Sequence, residues 1–135
     1  MIADCRVQKA DIRMTKRAEL AERLLGFAAG CMALSTRLSR TVAGRYLYRQ
    51  LMRAGASAGA NYEEACAAES RADFVHKMQI VLKELREASY WLRLAERGRL
   101  IVEAQSDLLQ EADELVRVMA RSVITAKSGA KRRSG

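Results

Sequence analysis

Residues 50–92 read QLMRAGASAGANYEEACAAESRADFVHKMQIVLKELREASYWL, which predicts two helices joined by a short polar break at residues 68–71. In the second half, apolar residues recur every three or four positions, as on a helix that packs against other helices. This seam comprises Phe74, Met78, Val81, Leu85, Ala88, Leu92 and Ala95. Ser70, followed by Asp73, is a capping-box-like start, and Gly98 is the expected stop.

The first half of this stretch is unusual for its small residues, which fill positions 54–60. Gly55 and Gly59 lie about one helical turn apart, so we expect a neighbouring backbone to come close to both. Glycine inside a helix costs about 1 kcal/mol relative to alanine, and close packing would compensate for that cost. Charged residues on both sides make the run too short to cross a bilayer.

Polar side chains form a stripe on each of these two predicted helices. The stripes comprise Gln50, Arg53, Ser57, Asn61 and Glu64 on the first helix, and Asp73, Lys77, Glu84, Glu87 and Trp91 on the second. The spacings place each set on one helix face. If the helices fold back antiparallel across the break, Lys77 faces Asn61 and Glu64.

The same antiparallel pairing places Arg53 opposite Glu84 and Glu87. We interpret the two stripes as a charge-complementary polar ladder that fixes the register between the helices, a role in which polar pairs add specificity more than stability. The alternative is that about half of these side chains only face water, because charged residues are seldom buried.

The run QLMRAGASAGANYEEA, residues 50–65, resembles the signature of the four helix bundle proteins, also called 23S rRNA intervening-sequence proteins. The match continues in order through Ser70, Asp73-Phe74, Lys77, Lys83-Glu84, Glu87 and Tyr90-Trp91-Leu92. The resemblance covers about residues 16–127 and implies an all-α, up-down antiparallel four-helix bundle assembled as a homopentameric ring. A more distant resemblance is to the accessory variability protein of diversity-generating retroelements, a basic pentameric barrel that works with a reverse transcriptase and nucleic acid.

The composition is that of one helical domain. The chain has 135 residues and no proline, and no segment alternates with period two as a strand would. We predict a weakly ordered leader at residues 1–15, a bundle domain at 16–127 and a basic disordered tail at 128–135. The predicted helices span residues 16–38, 45 to the break at 68–71, 70–98 and 106–127.

The first, second and fourth helices also have apolar seams. The first helix offers Leu20, Leu24, Phe27, Cys31, Leu34 and Leu38, and the fourth offers Leu109, Ala112, Val116, Met119, Val123 and Ala126. The second helix has two adjacent seams: Leu47, Leu51, Ala54, Ala58 and Ala65, and Tyr48, Met52, Gly55, Gly59, Tyr62 and Cys66. Gly26 and Gly30 predict a second close helix approach. The second and third helices each have more apolar surface than the single stripe that a bundle of one chain buries. We therefore expect a homo-oligomer that covers the excess.

The cysteines and the termini indicate a cytoplasmic protein. Cys5, Cys31 and Cys66 are far apart and form no CxxC, which is typical of reduced thiols, and we expect the last two to fill the core. The N-terminal residues 1–17 carry charges throughout and lack the apolar run of a secretory signal. The longest uncharged run, residues 24–36, is too short for a membrane span.

Tests for catalytic chemistry find little. His76 is the single histidine. Di-iron bundles use two Glu-x-x-His pairs, of which Asp73-x-x-His76 is one imperfect half. The cysteines lack zinc-ligand spacing, and no glycine loop of the phosphate-binding type precedes a helix. We therefore expect no catalytic residues, no cofactor and no metal, and predict that the protein is not an enzyme.

The formal net charge of +8 favours acidic partners, nucleic acid among them. Candidate contacts are basic residues at helical spacing or near the C-terminus: Arg45, Arg49, Arg117, Arg121, Lys127, Lys131, Arg132 and Arg133. Such side chains contact phosphates and carry no sequence readout. The predicted function is an oligomeric scaffold for RNA, DNA or a nucleic-acid enzyme. The alternative is a protein–protein interaction scaffold with no nucleic-acid role.

Overall fold

Five helices make up the structure, a computed structural model that describes the backbone of residues 5–102 and 106–134 and the side chains of residues 15–102 and 107–129. The helices are α1 (Cys5–Met32), α2 (Ser35–Leu38), α3 (Val42–Cys66), α4 (Arg71–Arg97) and α5 (Ser106–Ser134). The described residues contain no strand. The prediction of an all-α four-helix bundle is confirmed, with α2 as a short addition between the first two long helices.

The four long helices form a bundle with one loosely closed side. α3 packs most extensively on α4, α4 packs on α5, and α1 packs on α3, whereas α1 and α5 meet over a smaller area. The predicted seams meet in one core, whose largest fully buried side chains are Leu24, Phe27, Leu38, Leu51, Leu85, Leu92, Leu115 and Met119. The short connections make successive long helices antiparallel neighbours. α1 and α5 are neighbours without such a connection.

The small-residue run of α3 packs against α1, but the contacts are ordinary ones that a Cβ atom at either glycine would also make, and only Gly59 lies near backbone atoms of α1. A Cβ atom placed on Gly55 would lie 3.4 Å from Cys31 Sγ, and one on Gly59 would lie 3.5 Å from Leu24 Cβ. The second apolar stripe of α3 is therefore covered within the chain. This second stripe of α3 therefore gives no reason to expect an oligomer, because α1 covers it.

The second glycine pair, on α1, behaves differently at its two positions. A Cβ atom on Gly30 would lie 2.8 Å from Leu108 Cδ1, so α5 does approach α1 closely there. The prediction was wrong for Gly26, which has no atom within 4 Å of such a Cβ and lies on the exposed side of α1. A spacing of four residues does not show which way a face points.

The first predicted helix is interrupted, which corrects its continuous span of residues 16–38. α1 ends at Met32, and the Leu34 amide donates to the Cys31 carbonyl at 3.1 Å, the three-residue spacing of a tight turn. Leu34 and Leu38 nevertheless stay buried. Ser35 begins α2, and its low helix propensity agrees with a break at this point. The apolar seam was predicted correctly although the helix is not continuous.

Side-chain caps set the start of α3 and α4. α3 starts at Val42, earlier than the predicted residue 45, because Thr41 Oγ1 accepts a hydrogen bond from the Gly44 amide at 2.9 Å. The predicted cap of α4 is confirmed: Ser70 Oγ accepts from the Asp73 amide at 3.1 Å. The carboxylate of Asp73 also lies in the first turn, where the helix dipole favours negative charge.

The end of α4 is a Schellman motif. The Leu100 amide donates to the Ala95 carbonyl at 2.8 Å, and the Arg99 amide donates to the Glu96 carbonyl at 3.0 Å. Gly98 is the C-cap residue, as predicted, but its φ is −78° and it needs no glycine freedom. The left-handed residue is Arg99, with φ of 59°. An L side chain at such an angle is strained.

We expect Arg99→Gly to stabilise the protein by about 0.5–1 kcal/mol, because glycine adopts the left-handed region without steric cost. Chemical denaturation monitored by circular dichroism would measure the change. The matched control is Arg97→Gly, two residues earlier in the last turn of α4, which should destabilise by about 1 kcal/mol. Equal effects from both substitutions would contradict strain at position 99.

Helices extend into both terminal segments. α1 begins at Cys5, inside the predicted leader, and α5 continues to Ser134, inside the predicted tail. Neither segment contains proline, so no residue there forbids a helix. The division into a weakly ordered leader, a bundle and a disordered tail stays a prediction. None of the described helices is long and apolar enough to cross a membrane.

Candidate nucleic-acid interface

The predicted ion pairs of the polar ladder form between α3 and α4. Arg53 bridges two carboxylates of α4: its guanidinium lies 3.4 Å from Glu84 Oε2 and also forms an ion pair with Glu87. Glu84 is the most buried of the three, with 11% of its side chain exposed. The Arg53 charge is therefore the counter-ion for a carboxylate inside the helix interface.

The second rung of the ladder lies near the turn between α3 and α4. Lys77 Nζ is 2.6 Å from Glu64 Oε2, the predicted pairing. The interaction with Glu64 raises the pKa of Lys77, and the charge of Asp73 one turn earlier adds to it. Asn61 was also expected to face Lys77. Instead its amide donates within α3 to Ser57, because an amide four residues on reaches the preceding turn.

The far end of the ladder meets a cluster of aromatic rings. Trp91 Nε1 donates to Glu87 Oε1 at 3.3 Å. The hydrogen bond from Arg53 lowers the pKa of Glu87, and the bond from Trp91 acts in the same direction, while burial opposes both. The Trp91 ring makes edge-to-face contacts with Tyr46 and Tyr90, whose centroids lie 6.1 and 5.1 Å away.

The lowered pKa of Glu87 predicts acid sensitivity. A carboxyl whose pKa is lower in the folded state stabilises the protein above its unfolded pKa of about 4.3, and this contribution is lost as the pH falls through the folded value. We expect Glu87→Gln to lower the melting temperature at pH 7, and the difference from the wild type to shrink at pH 3. The control is Glu96→Gln, an exposed residue of α4, which should change little at either pH. An undiminished difference at pH 3 would contradict the prediction.

Two further polar links hold α5, and neither followed from the sequence. Ser89, which is buried in α4, donates to Asp113 Oδ1 at 2.8 Å. Arg23 of α1 forms a two-pronged bond with Glu111, at 3.0 and 3.1 Å, and lies 3.1 Å from Glu114. The first link joins α4 to α5 and the second joins α1 to α5, so residue spacing within one helix gave no signal for either.

The predicted basic contacts lie on helices that do not adjoin. Arg45 and Arg49 are exposed on the first half of α3, and Arg45 donates to the Ser39 carbonyl at 3.2 Å. Arg117 and Arg121 are exposed on α5. In the described part of the chain α3 packs mainly on α4 and α1, whereas α5 packs mainly on α4. The two arginine pairs therefore do not form one continuous basic face in a single subunit.

The cations around the second half of α5 are more numerous than the sequence indicated. Arg121 lines a cleft between α1 and α5 together with Lys16, Arg17 and Arg71. Lys127 lines a smaller groove between α4 and α5, beside Lys83 and Arg86. Lys16, Arg17, Arg71, Lys83 and Arg86 were missed because they come from α1 and α4 and meet α5 only in the folded bundle. The side chains of Lys131, Arg132 and Arg133 lie outside the described residues.

The cysteines fit the core role that was predicted for them. Cys31 is buried and Cys66 is half-buried, and both are free thiols. Burial raises the pKa of the Cys31 thiol to about 12, which disfavours the reactive thiolate. Cys5 lies outside the described side chains. Within the described residues no three His, Cys, Asp or Glu side chains cluster as metal ligands would.

The fold and the ladder define the class of protein: an antiparallel four-helix bundle whose central helix pair is joined by ion pairs. The model of the family described as 23S rRNA-intervening sequence protein matches residues 17–121. The chain belongs to this family, which confirms the family resemblance predicted from residues 50–65 and the residues that follow them.

A solved structure gives the same answer. The chain is similar to a protein of unknown function from the S23 ribosomal protein family of Bacteroides thetaiotaomicron, with 32% identity and a TM-score of 0.69. The similarity covers 77% of this chain and 97% of that one. A comparison with curated proteins gives no match.

Proposed function

We propose that this protein is a non-enzymatic, cytoplasmic scaffold that assembles into a homo-oligomer and binds nucleic acid through the basic surface around the second half of α5. Seven cations form this basic surface: Lys16, Arg17, Arg71, Lys83, Arg86, Arg121 and Lys127. None of them forms an ion pair with another described residue. The lack of ion-pair partners for these seven cations among the described side chains is the observation that carries the proposal.

Nucleic acid is the partner whose charge fits this surface. The cations lie on both sides of one helix and come from three helices, so their spacing suits a repeated anion better than a single carboxylate. Phosphate contacts of this kind position a strand and read no sequence. The name of the family refers to 23S rRNA, but the support here is the charge. A nucleic-acid enzyme could join such an assembly through the bound strand.

The test is binding of labelled RNA and DNA oligonucleotides, measured by fluorescence anisotropy at several salt concentrations. We expect the affinity to fall steeply with salt, with a slope of about −0.7 per phosphate contact on single strands. Reversing the charge of Arg121 and Lys127 to Glu should weaken binding more than reversing Arg45 and Arg49. Binding that does not depend on salt, or that responds only to the α3 pair, would overturn the assignment to α5.

Self-assembly is supported by an exposed apolar patch beside Trp91, where α3 begins and α4 ends. This end patch comprises Val42, Tyr46, Tyr90 and Leu94, which are 43–76% exposed. Trp91 joins the α3 and α4 parts of the patch through its ring contacts with Tyr46 and Tyr90. Rimmed apolar patches on a soluble subunit commonly mark protein interfaces. We assign the patch to a second copy of this chain, and the ring of five copies that the family resemblance implies is the expected assembly.

The mass in solution, measured by light scattering, tests self-assembly. The wild type is expected at five times the subunit mass of 15.1 kDa, and Leu94→Glu should reduce it. The control is Ile124→Glu, an exposed apolar residue on α5, which should leave the mass unchanged. A wild type that runs as one subunit would reject the oligomer.

The end patch also favours the second candidate function, a protein–protein interaction scaffold without a nucleic-acid role. The two functions differ in the expected effect of charge. If the second is right, the wild type binds no oligonucleotide at low salt, and the end-patch variant loses protein partners while the α5 variant keeps them.

A further inference from the structure

α1 and α5 enclose a cleft that the ladder and the core do not use. Gly30 allows Leu108 to pack closely on α1, and the bridge from Arg23 to Glu111 ties the same two helices further along. Beyond this bridge the helices border a cleft of about 610 Å³, which is closed below by side chains of α3 and α4. This volume falls within the range of small-molecule sites.

The buried and half-buried residues of the cleft, which form its floor, are mostly apolar, and its exposed rim is cationic. Leu20, Phe74, Met78 and Ala126 lie on the floor. The rim carries four cations without an ion-pair partner among the described side chains (Lys16, Arg17, Arg71 and Arg121), against one carboxylate, Glu19. An occupant must therefore combine negative charge with a flat or apolar body.

Two of the cations stand over the aromatic ring of the floor. The guanidinium carbons of Arg17 and Arg71 lie 5.6 and 5.7 Å from the centroid of Phe74. Gly129 leaves the room that the Arg71 guanidinium occupies, because a Cβ there would collide with it. Aromatic rings and guanidinium planes both stack on nucleobases, and the same guanidinium groups bind phosphate.

The α5 wall supplies hydrogen-bond acceptors. Ser122 Oγ donates to the Val118 carbonyl at 2.9 Å, and Thr125 Oγ1 donates to the Arg121 carbonyl at 3.0 Å. Each hydroxyl proton is thus used within α5, which leaves the oxygen lone pairs to accept from a ligand. Base amino groups and ribose hydroxyls are donors of that kind. A bare inorganic anion would use neither these acceptors nor the apolar floor.

We propose that this cleft binds one nucleotide group. The base stacks on the layer formed by the Phe74 ring and the guanidinium groups over it, and Arg17, Arg71 and Arg121 hold the phosphate. The group is either a free nucleotide or an unpaired nucleotide within a strand that lies on α5. In its strand form the inference rests on the proposed function, and it adds a stacking site to a surface otherwise made of phosphate contacts.

The experiment measures two ligands separately on the full chain. Nucleoside monophosphates are titrated by NMR, with inorganic phosphate as the comparison, and labelled single-stranded oligonucleotides are titrated by anisotropy at several salt concentrations. We expect Phe74→Leu to weaken both nucleotide and oligonucleotide binding about tenfold without changing the salt slope, since stacking is uncharged. Arg71→Gln should reduce the slope by about one phosphate contact. Arg93→Gln, an exposed charge on α4 away from the cleft, is the matched control and should change neither measurement.

The outcomes separate this inference from the proposed function. Oligonucleotide binding that is unchanged in Phe74→Leu would overturn the cleft and leave the basic surface standing. Monophosphate binding without oligonucleotide binding would keep the cleft as a free-nucleotide site and reject the strand. Phosphate binding equal to that of the monophosphates, or no binding of any ligand, would overturn the nucleotide site. Because Leu keeps most of the apolar volume at position 74, a melting curve suffices to show that the variant is folded.

Discussion

Gly44→Ala is expected to destabilise the protein by about 2–3 kcal/mol, although glycine is usually a poor residue inside a helix. The Cα of Gly44 packs against the end of α2. An added Cβ would lie 2.9 Å from both the carbonyl carbon of Leu38 and Thr41 Oγ1, and closer still to the Leu38 carbonyl oxygen. These neighbours are backbone and a capping side chain, so they cannot move without loss of the cap. Urea denaturation of the two proteins would measure the difference.

The control for this prediction is the same substitution at Gly26, where a Cβ meets no atom within 4 Å. Because Gly26 is exposed in the middle of α1, Gly26→Ala should stabilise by about 1 kcal/mol through helix propensity alone. The two variants thus change the free energy of unfolding in opposite directions. A stabilised Gly44→Ala variant would show that α2 does not pack where the structure places it.

Ala58→Leu is the second substitution with a large expected effect, about 1–3 kcal/mol of destabilisation. Ala58 has no exposed surface and lies in the run of small residues where α3 contacts its neighbours. At the next position, a Cβ added to Gly59 would already be in van der Waals contact with Leu24, at 3.5 Å from its Cβ. Three extra carbon atoms have no room here unless the helices separate. Thermal unfolding of the wild type and the variant would measure the loss.

Ala56→Leu provides the comparison, since Ala56 is exposed on the same helix two residues earlier. The same increase in volume at this position should change the stability by less than about 0.5 kcal/mol. An Ala58→Leu protein with an unchanged melting temperature would show that close packing of α3 does not require a small residue at this position.

The contacts between α1 and α5 could be predicted from the sequence only in part. The seams placed Leu24 and Met119 in the core, and both are fully buried. The Arg23–Glu111 bond could not be found the same way, because its residues lie 88 positions apart and on different helices. For the ladder the turn at residues 68–71 fixed which positions face each other. No short turn relates α1 to α5, so their register follows only from the packing of the other two helices.

The basic surface shows the same limit. The four-residue spacing of Arg117 and Arg121 is visible in the sequence, and so is the net charge of +8. The placement of Arg71 beside Arg121 is not, because it needs the start of α4 and the second half of α5 to lie at one end of the bundle.

By itself the sequence determined the four long helices without their exact bounds, their apolar seams, the cap at Ser70 and the pairing of Arg53 with Glu84 and Glu87. Each of these depends on contacts within a helix or across one short turn, where spacing along the chain sets spacing in three dimensions. Only the tertiary structure decided that α1 covers Gly55 and Gly59, and that a cleft opens between α1 and α5. Those features depend on helices that meet without adjoining in the chain, so their relative rotation and register are set by packing of the whole bundle.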